Sequence, residues 1–146
     1  MKLKQLSLFL ENKPGALSAP VKILARAKIN ILTMTIAEAR QYGILRLVVR
    51  DWQAAKELLE RHGLLVKVTD VLAIEVPDRP GGLARVLAVL EEARINLEYM
   101  YAFTLKSDSK GLLLFRFDDP DKAILALQNK KINIVGNAEL FKRLDG

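Results

Sequence analysis

The residues best suited to chemistry in this chain sit in two short runs. Asn12-Lys13-Pro14-Gly15-Ala16-Leu17 and Asp78-Arg79-Pro80-Gly81-Gly82-Leu83 each set a polar residue, a cation, Pro-Gly and a small residue ahead of a leucine. Proline fixes its own φ and holds the residue before it extended. The glycine after it permits a sharp turn and keeps a side chain out of a ligand's way. Each run opens into a segment of helical periodicity, whose first N–H groups have no acceptor inside the helix. With the positive end of the helix dipole, those donors form an anion site suited to a carboxylate. Asn12 or Asp78, just upstream, can face an ammonium group. A grip for an oxyanion beside a polar end matches a free α-amino acid. One Pro-Gly pair alone is better explained as a tight strand-to-helix turn. Two copies at a fixed spacing say more.

The spacing is a repeat. Moving Leu6 forward 66 positions to Leu72 also lays Leu24 on Leu90, Ala27 on Ala93, Ile29-Asn30-Ile31 on Ile95-Asn96-Leu97 and Met34 on Met100. The shift then becomes 68, setting Gly43-Ile44-Leu45 on Gly111-Leu112-Leu113 and Asp51 on Asp119. Self-similarity of this kind fixes the architecture before any local reading, and the expected division is 1–69 and 70–146.

The elements that must position the two turns follow from periodicity. Residues 5–11 alternate over Leu6, Leu8 and Leu10, as a strand with one buried face does. From Ala16, Leu17, Val21, Leu24 and Lys28 recur at helical spacing. Residues 31–37 return to strand character, and Arg40-Gln41-Tyr42-Gly43 turns the chain into a third strand at 44–50. There Leu45, Leu47 and Val49 alternate with Arg46, Val48 and Arg50. Asp51 caps a second helix that ends at His62-Gly63, and residues 64–68 supply a fourth strand. The order is β-α-β-β-α-β, the ferredoxin-like arrangement. The second copy repeats it with strands at 71–76, 95–105, 111–117 and 132–135, and helices at 82–93 and 120–129. Asp119 caps the latter helix and Pro120 takes its first position. An amphipathic turn at 138–144 has no counterpart in the first copy. Residues 64–76 are almost continuously strand-like, so the two sheets are expected to be packed or joined side by side. The fold class is α+β, two ferredoxin-like domains in tandem.

At 146 residues with 51% hydrophobic composition, the copies hold about 70 residues each, a size that is marginal alone. Packing of the copies and assembly into a homodimer are expected. No apolar run approaches the roughly 18 residues of a membrane span, no secretory leader is evident, and there is no cysteine. A cytoplasmic location without membrane association is the expectation. The net charge of +6 and pI near 9.7 invite an anionic partner, but Lys and Arg are spread along the chain without a block of like charge.

The two turns, placed at the first strand–helix junction of a βαββαβ pattern and followed by Ile-Asn-(Ile/Leu), resemble the ACT domain. The resemblance covers nearly the whole chain as two copies in tandem. It implies a regulatory module that binds amino acids, with ligand held near an interface between paired domains. The matching positions are Asn12, Gly15, Ala16, Leu17 and Asn30 in copy one, and Asp78, Gly81, Gly82, Leu83 and Asn96 in copy two. Selectivity is expected from the second strand of each copy, at Ile31 and Met34 and at Leu97, Glu98 and Met100. The partners so implied are a free amino acid and a regulated enzyme. No cofactor, metal or catalytic residue is expected. Pro20 departs from the pattern, standing where the second copy has Val86. It either removes a bond to the Ala16 carbonyl or moves the helix start to a cap at Ser18, so Asp78–Leu83 is the turn expected to be intact.

Other signals are weaker. His62 reads as a helix terminus, because no cysteine or second histidine completes a dyad. Asp108, Asp118, Asp119 and Asp121 read as capping and turn residues, and Trp52 as a packing residue. Residues 110–117 partly resemble the RNA-contacting strand of an RRM. Leu112 and Leu114 are aliphatic where stacking rings are needed, while Phe115 and Phe117 are expected to face the helices with Leu113. Tyr99, Tyr101 and Phe103 keep an RNA-binding module open as an alternative. A dissociable regulatory subunit of an amino-acid biosynthetic enzyme is the other.

Overall fold

In the computed structural model, which describes residues 1–103 and 110–145, the chain divides into two units. Lys4–Thr69 form one, and Asp70 onward, joined by Met1–Leu3, form the other. The first carries β1 (Leu3–Glu11), α1 (Ser18–Arg26), β2 (Thr33–Ala39), β3 (Tyr42–Val48) and α2 (Trp52–Arg61). A single strand, β4 (Val66–Pro77), takes the chain from one unit into the next. Then follow α3 (Gly82–Glu92), β5 (Leu97–Ala102), β6 (Lys110–Phe117), α4 (Pro120–Asn129), β7 (Ile134–Val135) and α5 (Asn137–Asp145). The β-α-β-β-α-β order is thus written twice, as the periodicity predicts. None of the described helices is long and apolar enough to cross a membrane.

In the first unit β3 lies between β2 and β1, with Leu6 opposite Leu47, Leu8 opposite Leu45, and Ile36 also opposite Leu45. The residues Leu6, Leu8, Leu10, Leu45 and Leu47 form the helix-facing side. They pack on Leu24 of α1 and on Ala55 and Leu59 of α2. In the second unit β6 lies between β4 and β5, and Leu72, Ile74 and Val76 meet Phe115 and Phe117, whose rings stack with centroids 5.7 Å apart. Leu113, Phe115 and Phe117 do face the helices.

Caps explain several boundaries. Asp51 accepts from the Ala54 N–H at 3.0 Å and Asp119 from the Lys122 N–H at 3.1 Å. The His62 Nδ1 lies 3.0 Å from the Leu58 carbonyl, so the ring closes the end of α2. Asp118 accepts from the Asn96 and Asp119 N–H groups, and Asp121 pairs with Lys2 at 2.8 Å, which leaves these carboxylates in structural roles. Among the described residues no acidic or histidine group could hold a metal; Asp108 lies outside them. Two expectations need correcting. Lys28 is not a helical position: it stands beyond α1 with φ 59°, where the chain reverses. Strands 2 and 5 begin later than their apolar onset, at Thr33 and Leu97, because Ile29 and Ile95 instead bond back to the preceding helix, at Leu24 and Leu90.

The face of the second sheet away from α3 and α4 bears on the RNA alternative. Leu112 and Leu114 are buried there and so is Phe103, while Tyr99 and Tyr101 are half-buried. Glu75 is paired on that face with Leu112, and Arg143 of α5 bonds it at 2.5 Å. Leu140 of the same helix is fully buried. A base could not stack on leucines already packed away.

Candidate functional site: twin turns and their hollows

The two Pro-Gly turns have one hydrogen-bond scaffold. Lys13 N–H donates to Glu11 O, Ala16 N–H to Lys13 O and Ala19 N–H to Gly15 O. Sixty-six positions on, Arg79 N–H donates to Pro77 O, Gly82 N–H to Arg79 O and Arg85 N–H to Gly81 O. Gly15 and Gly81 have φ +85° and +86°, a conformation that strains any residue with a Cβ, and the space beside both is open. What remains after these bonds is a set of donors. Among the described residues, the N–H groups of Leu17 and Ser18, and of Leu83 and Ala84, have no partner.

Pro20 does not remove them. It lacks the N–H that would reach the Ala16 carbonyl, so α1 begins at Ser18 where α3 begins at Gly82, which corresponds to Ala16. The first helical bond, Ala19 to Gly15, is nonetheless the counterpart of Arg85 to Gly81. Ser18 is not a cap: the residue at that place is Leu17, with no side-chain bond. The distortion expected of the first turn is therefore not seen in its backbone hydrogen bonds, which match those of the second.

Beside each turn lies a hollow. The first, of about 250 Å³, runs between Asn12 and Lys13 at the turn, Ala16 and Leu17 at the helix start, and the β2–β3 hairpin. The second, of about 460 Å³, lies between Asp78, Arg79, Leu83, Gly111 and Leu113. They are the same hollow in each copy. Leu10 pairs with Gly43 as Val76 pairs with Gly111, so each floor is a strand position lacking a side chain under the first helical turn.

Asn12 fixes the first rim: its backbone N–H donates to Gln41 O at 2.9 Å and its side-chain amide to Arg40 O at 3.3 Å. The charges at this rim are partly matched. Lys13 and Glu11 pair at 2.8 Å, and that hydrogen bond holds the Glu11 carboxyl below its ordinary value and raises Lys13 above its own.

Of the sequence-predicted residues, the structure brings Asn12, Ala16 and Leu17 to the first hollow, and Asp78 and Leu83 to the second. Gly15 and Gly81 shape the turns without lining the hollows. Gly82 is buried against Pro77, whose carbonyl oxygen would stand 2.1 Å from an added Cβ, and serves close packing. Asn30 and Asn96 lie at the other end of their own sheets. β2 pairs Thr33 with Val48 and reaches the hairpin only at Ala39, and Asn96 is bonded to Asp118 beyond Phe117. Ile31, Leu97 and Met100 pack against the cores, Met34 is part-exposed on β2, and Glu98 pairs with Arg116 at 3.3 Å. Sequence reasoning missed the floor glycines Gly43 and Gly111 and the rim residues Ile36, Glu38 and Tyr42. The match of Gly43 to Gly111 across the repeat was the available signal.

The chain matches, over residues 1–144, the family described as an ACT domain pair. It belongs to that family. A protein from Bacteroides thetaiotaomicron of known crystal structure is 38% identical, with 97% of each chain covered and a TM-score of 0.89. The ligand-free regulatory subunit of aspartate kinase from Thermus thermophilus shares the fold of this ACT pair at 14% identity, covering 86% of this chain and 91% of that one, with a TM-score of 0.62. The alpha and beta subunits of an aspartokinase share it at 18% identity, with 98% and 93% covered and a TM-score of 0.58. No curated protein matches the chain. The fold they share is the tandem ferredoxin-like arrangement of an ACT domain pair.

Proposed function

We propose that this protein is an amino-acid sensor, acting through regulation and not catalysis. The ligand's carboxylate is taken by the free N–H groups that open α1 or α3, at Leu17 and Ser18 or Leu83 and Ala84, and its polar end faces Asn12 or Asp78. The observation that carries this reading is the recurrence, in both copies, of one hydrogen-bond scaffold, one pair of unpartnered amides and one glycine-floored hollow. A single such turn is ordinary; its repetition beside the same hollow is what a duplicated binding site leaves. Asn30, Ile31, Met34, Asn96, Leu97, Glu98 and Met100, remote from the hollow of their own copy, contribute in this reading from another domain of a dimer.

A ligand that favours one arrangement of the paired domains shifts a partner's state by its differential affinity. The second reading makes that partner a biosynthetic enzyme, with this chain as its dissociable regulatory subunit. Its support is the near-complete coverage of the aspartate kinase regulatory subunit by the same domain pair.

A thermal-shift screen of the common amino acids tests the sensor. A ligand at 100 times its dissociation constant adds about 2.7 kcal/mol of stability, so one or a few amino acids raise the melting temperature clearly. A flat response to all of them contradicts the proposal.

A further inference from the structure

The walls of the first hollow say what its ligand carries beyond a carboxylate. Three charged side chains stand around it, Glu11, Lys13 and Glu38. Glu11 and Lys13 are spent on each other at 2.8 Å. The Glu38 carboxylate makes no ion pair or hydrogen bond among the described residues. The hollow therefore offers one unmatched negative charge and, where Leu17 lines it, opens beside the unpartnered amides of Leu17 and Ser18. Besides Asn12 and Tyr42, the rest of the lining is hydrocarbon or glycine: Leu10, Ala16, Leu17, Ile36, Ala37 and Gly43.

The row of residues explains the gap. Leu10, Gly43 and Glu38 lie opposite one another across β1, β3 and β2. Gly43 leaves its place empty, and the Ile36 side chain leans over it: a Cβ built on Gly43 would meet the Ile36 Cδ1 and the Ala37 carbonyl oxygen at 3.4 Å. Ile36 is 51% exposed, apolar surface with nothing of its own unit to cover it. A ligand that buries this wall recovers a hydrophobic gain that a polar side chain would forfeit.

We infer that the first hollow selects an aliphatic α-amino acid, with Glu38 joining Asn12 at the ammonium group and Ile36, Leu10 and Leu17 receiving the side chain over Gly43. This rests on the carboxylate grip proposed above and adds the specificity. The second hollow is built otherwise. Its charged residues, Asp78 and Arg79, are both unpaired among the described residues, and a proline, Pro77, stands where the first has Glu11. A free guanidinium and a free carboxylate there make it a poor match for a purely apolar side chain.

The test is isothermal titration of the full chain with L-leucine, L-isoleucine, L-valine, L-aspartate and L-lysine, and with 4-methylpentanoate, which is leucine without its ammonium group. The inference expects an aliphatic amino acid to bind best and the deaminated acid to bind at least about tenfold more weakly, the usual effect of losing a charge-assisted bond. Glu38→Gln, at an exposed position, weakens the amino acid by a similar factor and leaves 4-methylpentanoate unchanged. Gly43→Val, whose Cβ alone stands 3.4 Å from the Ile36 Cδ1 and the Ala37 carbonyl oxygen, fills the floor and abolishes binding in a chain whose melting temperature shows that it is folded. If an amino acid binds but the best one is charged, or if Glu38→Gln and Gly43→Val both bind it as the parent does, this inference is overturned and the sensor reading stands. If no amino acid binds the parent chain, both fall.

Discussion

The turn before α1 and the turn before α3 reach the same end with different residues. In the second, Gly82 tucks under the Pro77 carbonyl and the helix starts at once. In the first, Ala16 occupies that place, Pro20 deletes the next amide bond, and the helix starts two residues later in register. Yet the three turn hydrogen bonds, the left-handed glycine and the two free amides recur in both. The backbone donors have outlasted changes in the side chains and in the helix start around them. That pattern fits a turn held for what its amides face more than for the helix it begins.

The comparison can be broken most strongly at Val86, the counterpart of Pro20. Val86→Pro removes a helical bond and crowds the Gly82 carbonyl, and should cost about 3 kcal/mol in urea unfolding. A cost below about 1 kcal/mol would mean that α3 shifts its start as freely as α1. Next is Gly82→Ala, which brings a methyl within 2.1 Å of the Pro77 oxygen and should cost about 2 kcal/mol. The reverse change, Ala16→Gly, should cost under about 1 kcal/mol. Equal costs would show that the two turns are packed alike.

The outer sheet faces differ too, and a carboxylate marks the difference. Phe9 in the first copy is 58% exposed and meets Tyr42 edge-on, with ring centroids 5.8 Å apart. Its counterpart Glu75 is clasped by Arg143 of α5, which also bonds Glu139, and by Lys110 at 3.3 Å. Burial pushes the Glu75 carboxyl up, but its hydrogen bonds to Arg143, Asn133 and Lys110, with the charge of Arg143, outweigh this and hold it below its ordinary 4.5. The unfolded chain then binds the proton more tightly than the folded one. The contribution of Glu75 to stability is complete above about pH 4.5 and is lost as the pH falls through the depressed folded value. Glu75→Gln should cost about 1–2 kcal/mol at pH 7 and flatten the melting temperature's pH dependence below 4.5. An unchanged acid slope would remove Glu75 as the anchor of α5.

A small effect is also expected at the left-handed glycines. Gly81→Ala and Gly15→Ala should each cost about 1 kcal/mol of backbone strain. Because that strain acts whether or not ligand binds, Gly81→Val would be a poor probe of the site. Gly43, whose φ is not left-handed, is the clean position.

Much of this was legible from the chain. Alternation at Leu6, Leu8 and Leu10 and the caps Asp51 and Asp119 report burial and local hydrogen bonds, which depend on neighbours in sequence. The helix-facing choice of Phe115 and Phe117 follows from period two. What could not be read depends on register between strands. Gly43 becomes a floor only because it falls between Leu10 and Glu38, and Asn30 is remote from the turn because β2 runs its full length before reaching the hairpin. The effect of Pro20 was misjudged for a similar reason. A missing donor at the fifth residue after Gly15 leaves the free amides of the second and third and the bond of the fourth untouched, and only the bonds themselves reveal which were used.

The account stands on amides that await a carboxylate. Amide chemical shifts of the isotopically labelled full chain, followed while the amino acid that most raises its melting temperature is added, address this directly. The account predicts that the Leu17 and Ser18 signals, or those of Leu83 and Ala84, move first and furthest as new hydrogen bonds form. Saturating ligand that moves other amides and leaves all four in place would contradict it.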